Sequence, residues 1–595
     1  MEKLRNEIDS KFKWNIKSLY NSIEDFEKDV DKVKELNNKL LEFKNKIVLN
    51  SNNLLNFYET YLEYNLVEEN LYVYSKMLCD QDTKDNNNQA IKMKIEKLMD
   101  DLNAKLSFIS PEILSVDFEV IEKYIEQEPK LELYRFDLEK TFRYKKHTLS
   151  KIEEEIISKA NNAMGTGDDA FYNLDNSDIK LDSIIDENGK KVELNNSNFI
   201  KYMNSKDRNV RKSAFLSMYK YWEGLKNTVA ATYKGQIKED FFNSEIRKYN
   251  SPLEDSLFSD NIDKKVYTNL IETVHKNLDK MYDYVDLRKK VLNVDELHMY
   301  DVYVDLCSDV PKNIPFEDGK RIVFDALKPL GERYLSDLEK AFNENWIDIY
   351  PNIGKKSGAY SWGTYTSYPY VLLNYNDTVD SVSTMAHELG HSMHTYYTNK
   401  KQPYIYSGYP IFLAEIASTT NEILLNDYLI KNAKTNKEKQ LYINDFLDKI
   451  KGTLYRQTMF AEFEMIIHDK YNDGIALTDE EISNTYYELN KLYFGPNMIS
   501  DEEIRHEWKR IPHFYSPFYV YKYATGISAA VSIASDILNN VEGAKEKYLE
   551  LLSSGSSDHP LELLKKAGVD MTTPEPIEKA LDMFNEKLEI LKTLF

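Results

Sequence analysis

Long segments with helical periodicity, interrupted by few helix-breaking residues, constrain the fold of this chain most. In the segment Leu54–Leu78, for example, Leu55, Tyr58, Leu62 and Leu66 share one apolar stripe at helical spacing. Only 19 glycines and 16 prolines occur among the 595 residues. These patterns predict a mainly α protein. A chain of this length exceeds what one ordinary hydrophobic core supports, so we expect several lobes or one large composite body.

One interruption of the helical pattern predicts a β-hairpin. Residues 180–195 (KLDSIIDENGKKVELN) alternate around Asn188-Gly189, a dipeptide that favours tight hairpin turns. Helical periodicity resumes directly after this segment. We therefore predict an N-terminal helical lobe at residues 1–195, which ends in the hairpin, and a second domain at residues 196–595.

A second interruption predicts a small sheet. Gly358 and Gly363 break a segment rich in Tyr, Ser and Thr, and Tyr370–Tyr375 has the composition of a buried strand. Sheet edges beside active sites commonly bind extended peptides by adding a strand. The alternative is a sheet that only packs against a helix.

The charge balance excludes several classes of partner. The chain has 77 basic and 99 acidic residues, and the net charge of −22 repels phosphate backbones and anionic lipid surfaces.

No apolar run is long enough for a signal peptide or a membrane-spanning helix. The two cysteines, Cys79 and Cys307, cannot form a disulfide framework. We therefore expect a cytoplasmic protein that binds neither nucleic acid nor membranes, and the sequence leaves its oligomeric state open.

Three of the ten histidines fall in the segment TMAHELGHSMHTYYT, residues 384–398. Asn376–Thr378 can cap a helix that begins just before this segment. On such a helix His387 and His391 are one turn apart, so both imidazoles project toward one point and suit a tetrahedral Zn²⁺. Glu388, about 100° around the helix from His387, is suited to take a proton from metal-bound water. The alternative is that these histidines are ordinary core residues of a helix.

The next histidine does not complete a metzincin site. That spacing requires glycine at position 394 and histidine at position 397, where this chain has His394 and Tyr397. His394 could join the rim of the site, but we expect a packed core histidine.

A second helix is expected to supply the third ligand. This helix is predicted to begin directly after Gly408 and Pro410. Glu415 and Glu422 lie on one face of it, within a largely apolar stretch. Acidic residues in an apolar setting need partners, and a metal with its surrounding carboxylates is one solution. We predict Glu415 as the third metal ligand and Glu422 as a carboxylate that orients a ligand histidine. The alternative is that both glutamates lie on an exposed strip of the surface.

Matches beyond the histidine cluster extend over nearly the whole chain. They include WNIKSLY, YRFDLEKTFRYKKHTLS, RKYNSPLEDSLFSDNID, LHMYDVYVDL, AHELGHSMH, IFLAEIASTTNE, YRQTMFAEFE, RIPHFYSPFYVYKYATG and LLKKAGVDMTTPEPIE. In these segments the sequence resembles the oligoendopeptidase F family, a branch of the thimet-oligopeptidase-like zinc metallopeptidases. The resemblance implies a mainly α fold with two helical lobes around a deep substrate groove and a small sheet next to the HExxH helix.

The resemblance also implies the roles of individual residues. It makes His387, His391 and Glu415 the ligands of one Zn²⁺ per chain and Glu388 the general base. The expected reaction is the hydrolysis of internal bonds in unstructured oligopeptides by a zinc-activated water, with loose side-chain preference. Two alternatives stay open, namely an exopeptidase such as a dipeptidyl carboxypeptidase on the same scaffold and a non-catalytic peptide-binding protein.

A histidine and several tyrosines near residue 515 are candidates for stabilising the oxyanion that forms during hydrolysis. Ser516-Pro517 can open a helix on which Tyr519 and Tyr523 share a face. The family supplies a histidine and tyrosines from this region, so we predict His513 first and then Tyr523 and Tyr519. An ordinary aromatic core stripe is the alternative.

The segment before the predicted strand is the candidate substrate-binding edge. We expect Gly358, Ala359 and Tyr360 to pair with the substrate backbone, which would explain tolerance of different side chains.

Overall fold

The computed structural model describes residues 3–307 and 313–595 and divides the chain into two compact units. Unit 1 comprises Met1–Thr148, Pro311–Tyr428 and Ile533–Gly568, and unit 2 comprises Leu149–Val310, Leu429–Ser532 and Val569–Phe595. The predicted boundary after residue 195 falls within unit 2. The division into an N-terminal helical lobe at residues 1–195 and a zinc peptidase catalytic domain at residues 196–595 stays a prediction.

The mainly α class is confirmed. The α-helices of the described residues are α1 (Ile23–Leu41), α2 (Ser51–Gln81), α3 (Asn86–Lys105), α4 (Ile109–Ile113), α5 (Phe118–Gln127), α6 (Arg135–Arg143), α7 (Lys151–Met164), α8 (Thr166–Asn176), α9 (Asn196–Met203), α10 (Arg208–Gly224), α11 (Lys226–Ile246), α12 (Pro252–Phe258), α13 (Lys264–His275), α14 (Leu278–Leu292), α15 (Phe316–Ala326), α16 (Glu332–Asn343), α17 (Val379–Lys401), α18 (Ile411–Lys431), α19 (Asn436–Ile450), α20 (Arg456–Asn472), α21 (Asp479–Phe494), α22 (Tyr521–Leu538), α23 (Ala544–Leu552), α24 (Pro560–Lys566) and α25 (Glu575–Lys592). A π-helical turn at Lys451–Tyr455 joins α19 to α20.

The strands are few and short. They are β1 (Ile184–Ile185), β2 (Lys191–Val192), β3 (Leu297–His298), β4 (Ile347–Asp348), β5 (Tyr360–Trp362), β6 (Tyr370–Leu372) and β7 (Met498–Ile499). The predicted hairpin is confirmed, because β1 and β2 pair antiparallel across the turn that contains Gly189. β3 and β7 pair in parallel.

The sheet expected next to the HExxH helix is also confirmed. It has the order β4-β6-β5, with β4 parallel and β5 antiparallel to the central strand β6. The regular part of the predicted strand ends at Leu372, but the backbone N–H groups of Leu373 and Tyr375 still donate to Asp348 and Ile349. β5 therefore lies at one edge of a sheet that packs against α17.

The N-terminal helices of unit 1 bury the face of this sheet. α1 and α3 pack against the long helix α2, and their side chains form a core that includes Tyr370 and Leu372 of β6. Both of these side chains are fully buried. The same core thus fixes the sheet on which the HExxH helix rests.

A buried charge cluster holds the start of the chain on the sheet. Asp348 of β4 accepts hydrogen bonds from Arg5, at 2.8 Å between Nη1 and Oδ1, and from the backbone N–H of Trp14. Lys355 pairs with the same carboxylate at 2.7 Å. Burial alone would raise the pKa of Asp348, but the Arg5 hydrogen bond and the Lys355 charge outweigh it and hold the pKa below the usual value.

No helix among residues 3–307 and 313–595 combines the length and the apolar character that a membrane crossing requires.

Candidate active site

The helix predicted from the histidine spacing is α17. It begins where expected, because the side chain of Thr378 accepts a hydrogen bond from the backbone N–H of Ser381 and caps the first turn. One helical turn separates His387 from His391, and their Nε2 atoms are 3.2 Å apart. The two imidazoles therefore converge on one point.

A carboxylate from α18 joins this pair. Oε2 of Glu415 lies 3.7 Å from Nε2 of His387 and 3.9 Å from Nε2 of His391. The three ligand atoms lie within 4.8 Å of one another, close enough to hold a metal ion. The Glu415 side chain is 45% exposed, so this point is open to solvent.

Two contacts between α17 and α18 set this geometry. A Cβ atom at Gly390 would come within 2.6 Å of the Ser418 Cα atom and 2.8 Å of the Ala417 carbonyl oxygen, so only glycine permits this approach. The side-chain amide of Asn421 donates to the Ala386 carbonyl at 3.0 Å. Neither role was predicted from the sequence, although a glycine between the two histidines on a buried helix is a signal for close packing.

Glu422, the second carboxylate of α18, lies next to His387 on the side of the ring away from the cluster of ligand atoms. Oε1 of Glu422 is 3.5 Å from Nδ1 of His387. Burial lowers the pKa of His387, but Glu422 and the charges of Glu388 and Glu415 outweigh it and the net shift is upward. An Nδ1–H directed at Glu422 leaves Nε2 of His387 with its lone pair toward the cluster.

His391 and His394 are both held in the neutral form. Burial, followed by the charge of His387, lowers the pKa of His391 to about 4. Burial also lowers the pKa of His394 to about 3. The His394 ring stacks on Tyr409 at 3.7 Å between centroids and lies outside the cluster of ligand atoms.

Glu388 lies beside the cluster and is almost fully buried. Burial raises its pKa to about 7, with further upward contributions from Glu415 and Glu422 and downward ones from His387 and a hydrogen bond to the Ser361 backbone. Ser361 belongs to the edge strand β5. The edge of the sheet and the acid of the HExxH motif are therefore in direct contact, which sequence spacing could not reveal.

The predicted substrate-binding residues lie at the start of this edge. Tyr360 opens β5, and Gly358 and Ala359 line a cavity of about 230 Å³ that also includes Asn374 and Thr384. Thr384 precedes Glu388 by four residues on α17, so the cavity lies one helical turn from the buried acid.

The predicted oxyanion-stabilising residues lie in unit 2. Nε2 of His513 is 3.3 Å from the Tyr523 hydroxyl, and the rings of Tyr519 and Tyr523 meet edge to face at 5.5 Å. Burial and the charge of Arg456 lower the pKa of His513. The structure thus places these three side chains together within unit 2 and the metal-ligand cluster within unit 1.

One local prediction here was wrong. Ser516-Pro517 does not open the helix, because α22 begins at Tyr521. Phe518 has a positive φ of 53°, a conformation that ends any helix started at Pro517. Tyr519 and Tyr523 nevertheless touch, since Tyr519 lies in the turn that leads into α22.

Comparisons with known proteins identify the family to which the chain is similar. The family model described as "Peptidase family M3" matches residues 201–583, and that described as "Oligopeptidase F" matches residues 112–180. Oligopeptidase PepF of Bacillus subtilis is 42% identical over 593 residues, which cover 99% of this chain and 88% of the relative. An oligoendopeptidase F homolog of Lactococcus lactis is 38% identical over 595 residues, which cover 100% of this chain and 99% of the relative.

Solved structures share the fold. A crystal structure from Chlamydophila abortus has a TM-score of 0.94 at 37% identity, with complete coverage of both chains. The crystal structure of oligoendopeptidase-F from Enterococcus faecium has a TM-score of 0.74 at 36% identity and covers 95% of this chain and 98% of that one. Taken with the family model and the full-length relatives, they establish that the chain belongs to peptidase family M3, in its oligoendopeptidase F branch, and is a metalloendopeptidase.

Proposed function

We propose that this chain is a zinc-dependent endopeptidase that hydrolyses internal bonds of unstructured oligopeptides. The observation that carries the proposal is the convergence of His387, His391 and Glu415 beside the buried acid Glu388. The names of the curated relatives support oligopeptides as the substrate class and internal bonds as the point of cleavage. A cytoplasmic location remains a proposal from the sequence.

The donor set favours Zn²⁺ over harder cations. Two imidazole nitrogens and one carboxylate oxygen are ligands typical of catalytic zinc, whereas Mg²⁺ and Ca²⁺ prefer oxygen alone. Zn–N bonds of ordinary length at a tetrahedral angle separate two nitrogens by about 3.3 Å. The Nε2 atoms of His387 and His391 are 3.2 Å apart. One Zn²⁺ per chain, held by these two histidines and Glu415, would lower the pKa of a water molecule and polarise the scissile carbonyl.

Glu388 is the proposed general base and acid. A pKa of about 7 allows its carboxylate to accept a proton from the attacking water and to deliver it to the leaving amine near neutral pH. The sign of the shift follows from burial, which destabilises the charged form. Glu422 is proposed to hold His387 in the tautomer that leaves Nε2 free for the metal.

His513, Tyr523 and Tyr519 are the proposed donors to the oxyanion, in that order. The family resemblance supports this role, and the lowered pKa of His513 supports a neutral imidazole that donates from one nitrogen. Preorganised donors of this kind typically contribute about 10²–10³-fold to the rate.

Gly358, Ala359 and Tyr360 are proposed to bind the substrate backbone at the edge strand. Main-chain pairing at a sheet edge discriminates little between side chains, so loose sequence preference is expected. The contact between Ser361 and Glu388 supports this placement, because a peptide paired with β5 would run past the buried acid.

A chelation experiment tests the metal. Removal of the metal with 1,10-phenanthroline should abolish cleavage of an internally quenched oligopeptide, and stoichiometric Zn²⁺ should restore it. Cleavage that persists in metal-free protein would contradict the proposal.

Doubly blocked peptides separate the proposed endopeptidase from its rivals. An endopeptidase cleaves an oligopeptide that is acetylated at the N-terminus and amidated at the C-terminus, whereas a dipeptidyl carboxypeptidase requires a free carboxylate. Mass-spectrometric mapping of the products decides between them. A peptide-binding protein without activity would retain the metal and bind the peptide but release it intact.

A further inference from the structure

A strained turn precedes α22 in unit 2. Phe518 adopts a φ of 53°, a region that a Cβ-bearing aromatic residue rarely enters without support from its surroundings. Tyr519 follows directly, and the backbone N–H groups of Lys522 and Tyr523 donate to Tyr519 and Val520 in the first turn of the helix. The conformation of Phe518 therefore sets how Tyr519 enters the helix that carries Tyr523.

A buried carboxyl group holds this turn. Oε1 of Glu464, on α20, accepts a hydrogen bond from the backbone N–H of Phe518 at 2.6 Å. The Glu464 side chain is 0% exposed. In the described part of the chain, its other oxygen, Oε2, has no hydrogen-bond partner. The contact with Phe518 is thus the one hydrogen bond that this carboxyl group makes there.

Aromatic side chains pack around Phe518. The Phe518 ring is almost fully buried and lies 4.6 Å from the ring of His468 and 5.8 Å from that of Tyr267. The residue before it is also held, because the Ser256 hydroxyl donates to the Pro517 carbonyl at 3.0 Å. The turn is fixed by hydrogen bonds to its backbone and by rings around its side chain.

An acid is an unfavourable choice for this position unless its oxygen is needed. Burial raises the pKa of Glu464 well above its usual range and outweighs the hydrogen bond from Phe518, which lowers the pKa, while the charge of Asp240 makes a smaller upward contribution. Burial thus disfavours the charged form of this side chain. A leucine or methionine would fill the space without this desolvation, but it would leave the Phe518 N–H without an acceptor.

We propose that Glu464 is a positioning residue for the peptidase reaction, and that its hydrogen bond to Phe518 holds Tyr519 and Tyr523 in the arrangement in which they meet His513. The inference rests on the proposed role of those three side chains in stabilising the oxyanion. Glu464 touches neither substrate nor metal in this scheme, and it acts only through the backbone of Phe518.

Two substitutions test the hydrogen bond. Glu464→Gln keeps an oxygen acceptor for Phe518 and should retain kcat within about two-fold. Glu464→Met keeps the length of the side chain but removes the acceptor, and it should lower kcat by about 10- to 100-fold, because small misplacements of catalytic groups have effects of this size. KM and the zinc content per chain should stay close to those of the wild type in both variants.

Glu462 provides the matched control. It lies two residues earlier on α20, is also buried, and accepts hydrogen bonds from Tyr493 and His275 instead of the Phe518 turn. Glu462→Met should lower the melting temperature but leave kcat unchanged. Equal losses of kcat in the Met variants at 462 and 464, or a loss in Glu464→Gln as large as in Glu464→Met, would overturn the proposal.

Amide hydrogen exchange in the wild-type protein gives a test that does not depend on any variant folding. The Phe518 amide should exchange slowly, as one held by a buried acceptor, and rapid exchange would overturn the proposal. His513→Ala distinguishes the positioning role of Glu464 from the oxyanion role of His513. If it lowers kcat while Glu464→Met does not, the positioning role alone is wrong; if it leaves kcat unchanged, the proposed oxyanion role is wrong.

Discussion

Gly390 on α17 lies so close to Ser418 on α18 that a Cβ atom at 390 would come within 2.6 Å of the Ser418 Cα atom. The two helices carry the three residues of the ligand cluster, His387 and His391 on one and Glu415 on the other. The distance at which the helices pack therefore determines whether the carboxylate reaches the two imidazoles.

Gly390→Ala should separate the helices and weaken the metal site. We expect a loss of about 1–3 kcal/mol in the free energy of unfolding from overpacking, together with weaker zinc binding and reduced activity. Calorimetry and zinc titration with a competing chelator measure the two effects. Gly235→Ala is the control, because its added Cβ meets nothing within 4 Å on an exposed face of α11 and should be neutral or slightly stabilising. Equal zinc affinity in both variants would contradict this expectation.

Glu388→Gln should retain zinc and lose most of the hydrolysis. The amide cannot accept the proton of the attacking water, and removal of a general base typically lowers kcat by about 10²–10⁴-fold. Elemental analysis gives the metal content, and a quenched peptide gives the rate. Activity near that of the wild type would remove Glu388 from the mechanism.

Glu422→Ala should weaken zinc binding without removing a ligand. Loss of the carboxylate behind Nδ1 of His387 frees the ring to reorient, and such losses typically cost about 10- to 100-fold in metal affinity. Glu415→Ala, which removes a proposed ligand, should weaken binding more. If both variants bind zinc equally, the assignment of Glu415 as a ligand and of Glu422 as the carboxylate that orients His387 is wrong.

Tyr523→Phe should lower kcat more than it changes KM, because the hydroxyl is proposed to act on charge that develops during the reaction. Tyr521→Phe is a suitable comparison. Its ring is buried against Tyr267 rather than beside His513, so kcat should stay close to that of the wild type. A loss of the same size in both variants would point to damage of α22 rather than to a specific hydroxyl.

Asp348→Asn should destabilise unit 1 at neutral pH by about 3–5 kcal/mol, because Arg5 and Lys355 then lose their shared carboxylate in a buried setting. The folded-state pKa of Asp348 is held below 3.8, so its contribution is complete above that pH and is lost as the pH falls through the folded value. The free energy of unfolding in urea should therefore change less between pH 7 and a pH below 3.8 in the variant than in the wild type. Asp182→Asn removes an exposed pair with Lys220 and should change stability by less than about 1 kcal/mol.

Local patterns in the sequence predicted much of the site. The positions of His387 and His391 on one helix follow from a cap at Thr378 and a spacing of four residues, both of which are local properties. The start of α18 behind Pro410 and the hairpin at Gly189 are local in the same sense. The start of α22 was not predicted correctly, because the conformation of Phe518 depends on Glu464, which is 54 residues away in the chain.

The sequence by itself determined the mainly α fold and the residues that could bind a metal, because periodicity, capping and motif spacing act over a few residues. The family followed from the resemblance of many segments along the chain. Only the tertiary structure decided which groups meet. The contact between Gly390 and Ser418 sets the approach of Glu415, the edge strand brings Ser361 to Glu388, and a buried acid fixes the Phe518 turn. These relationships depend on packing between distant segments, where close approach and burial set both geometry and pKa.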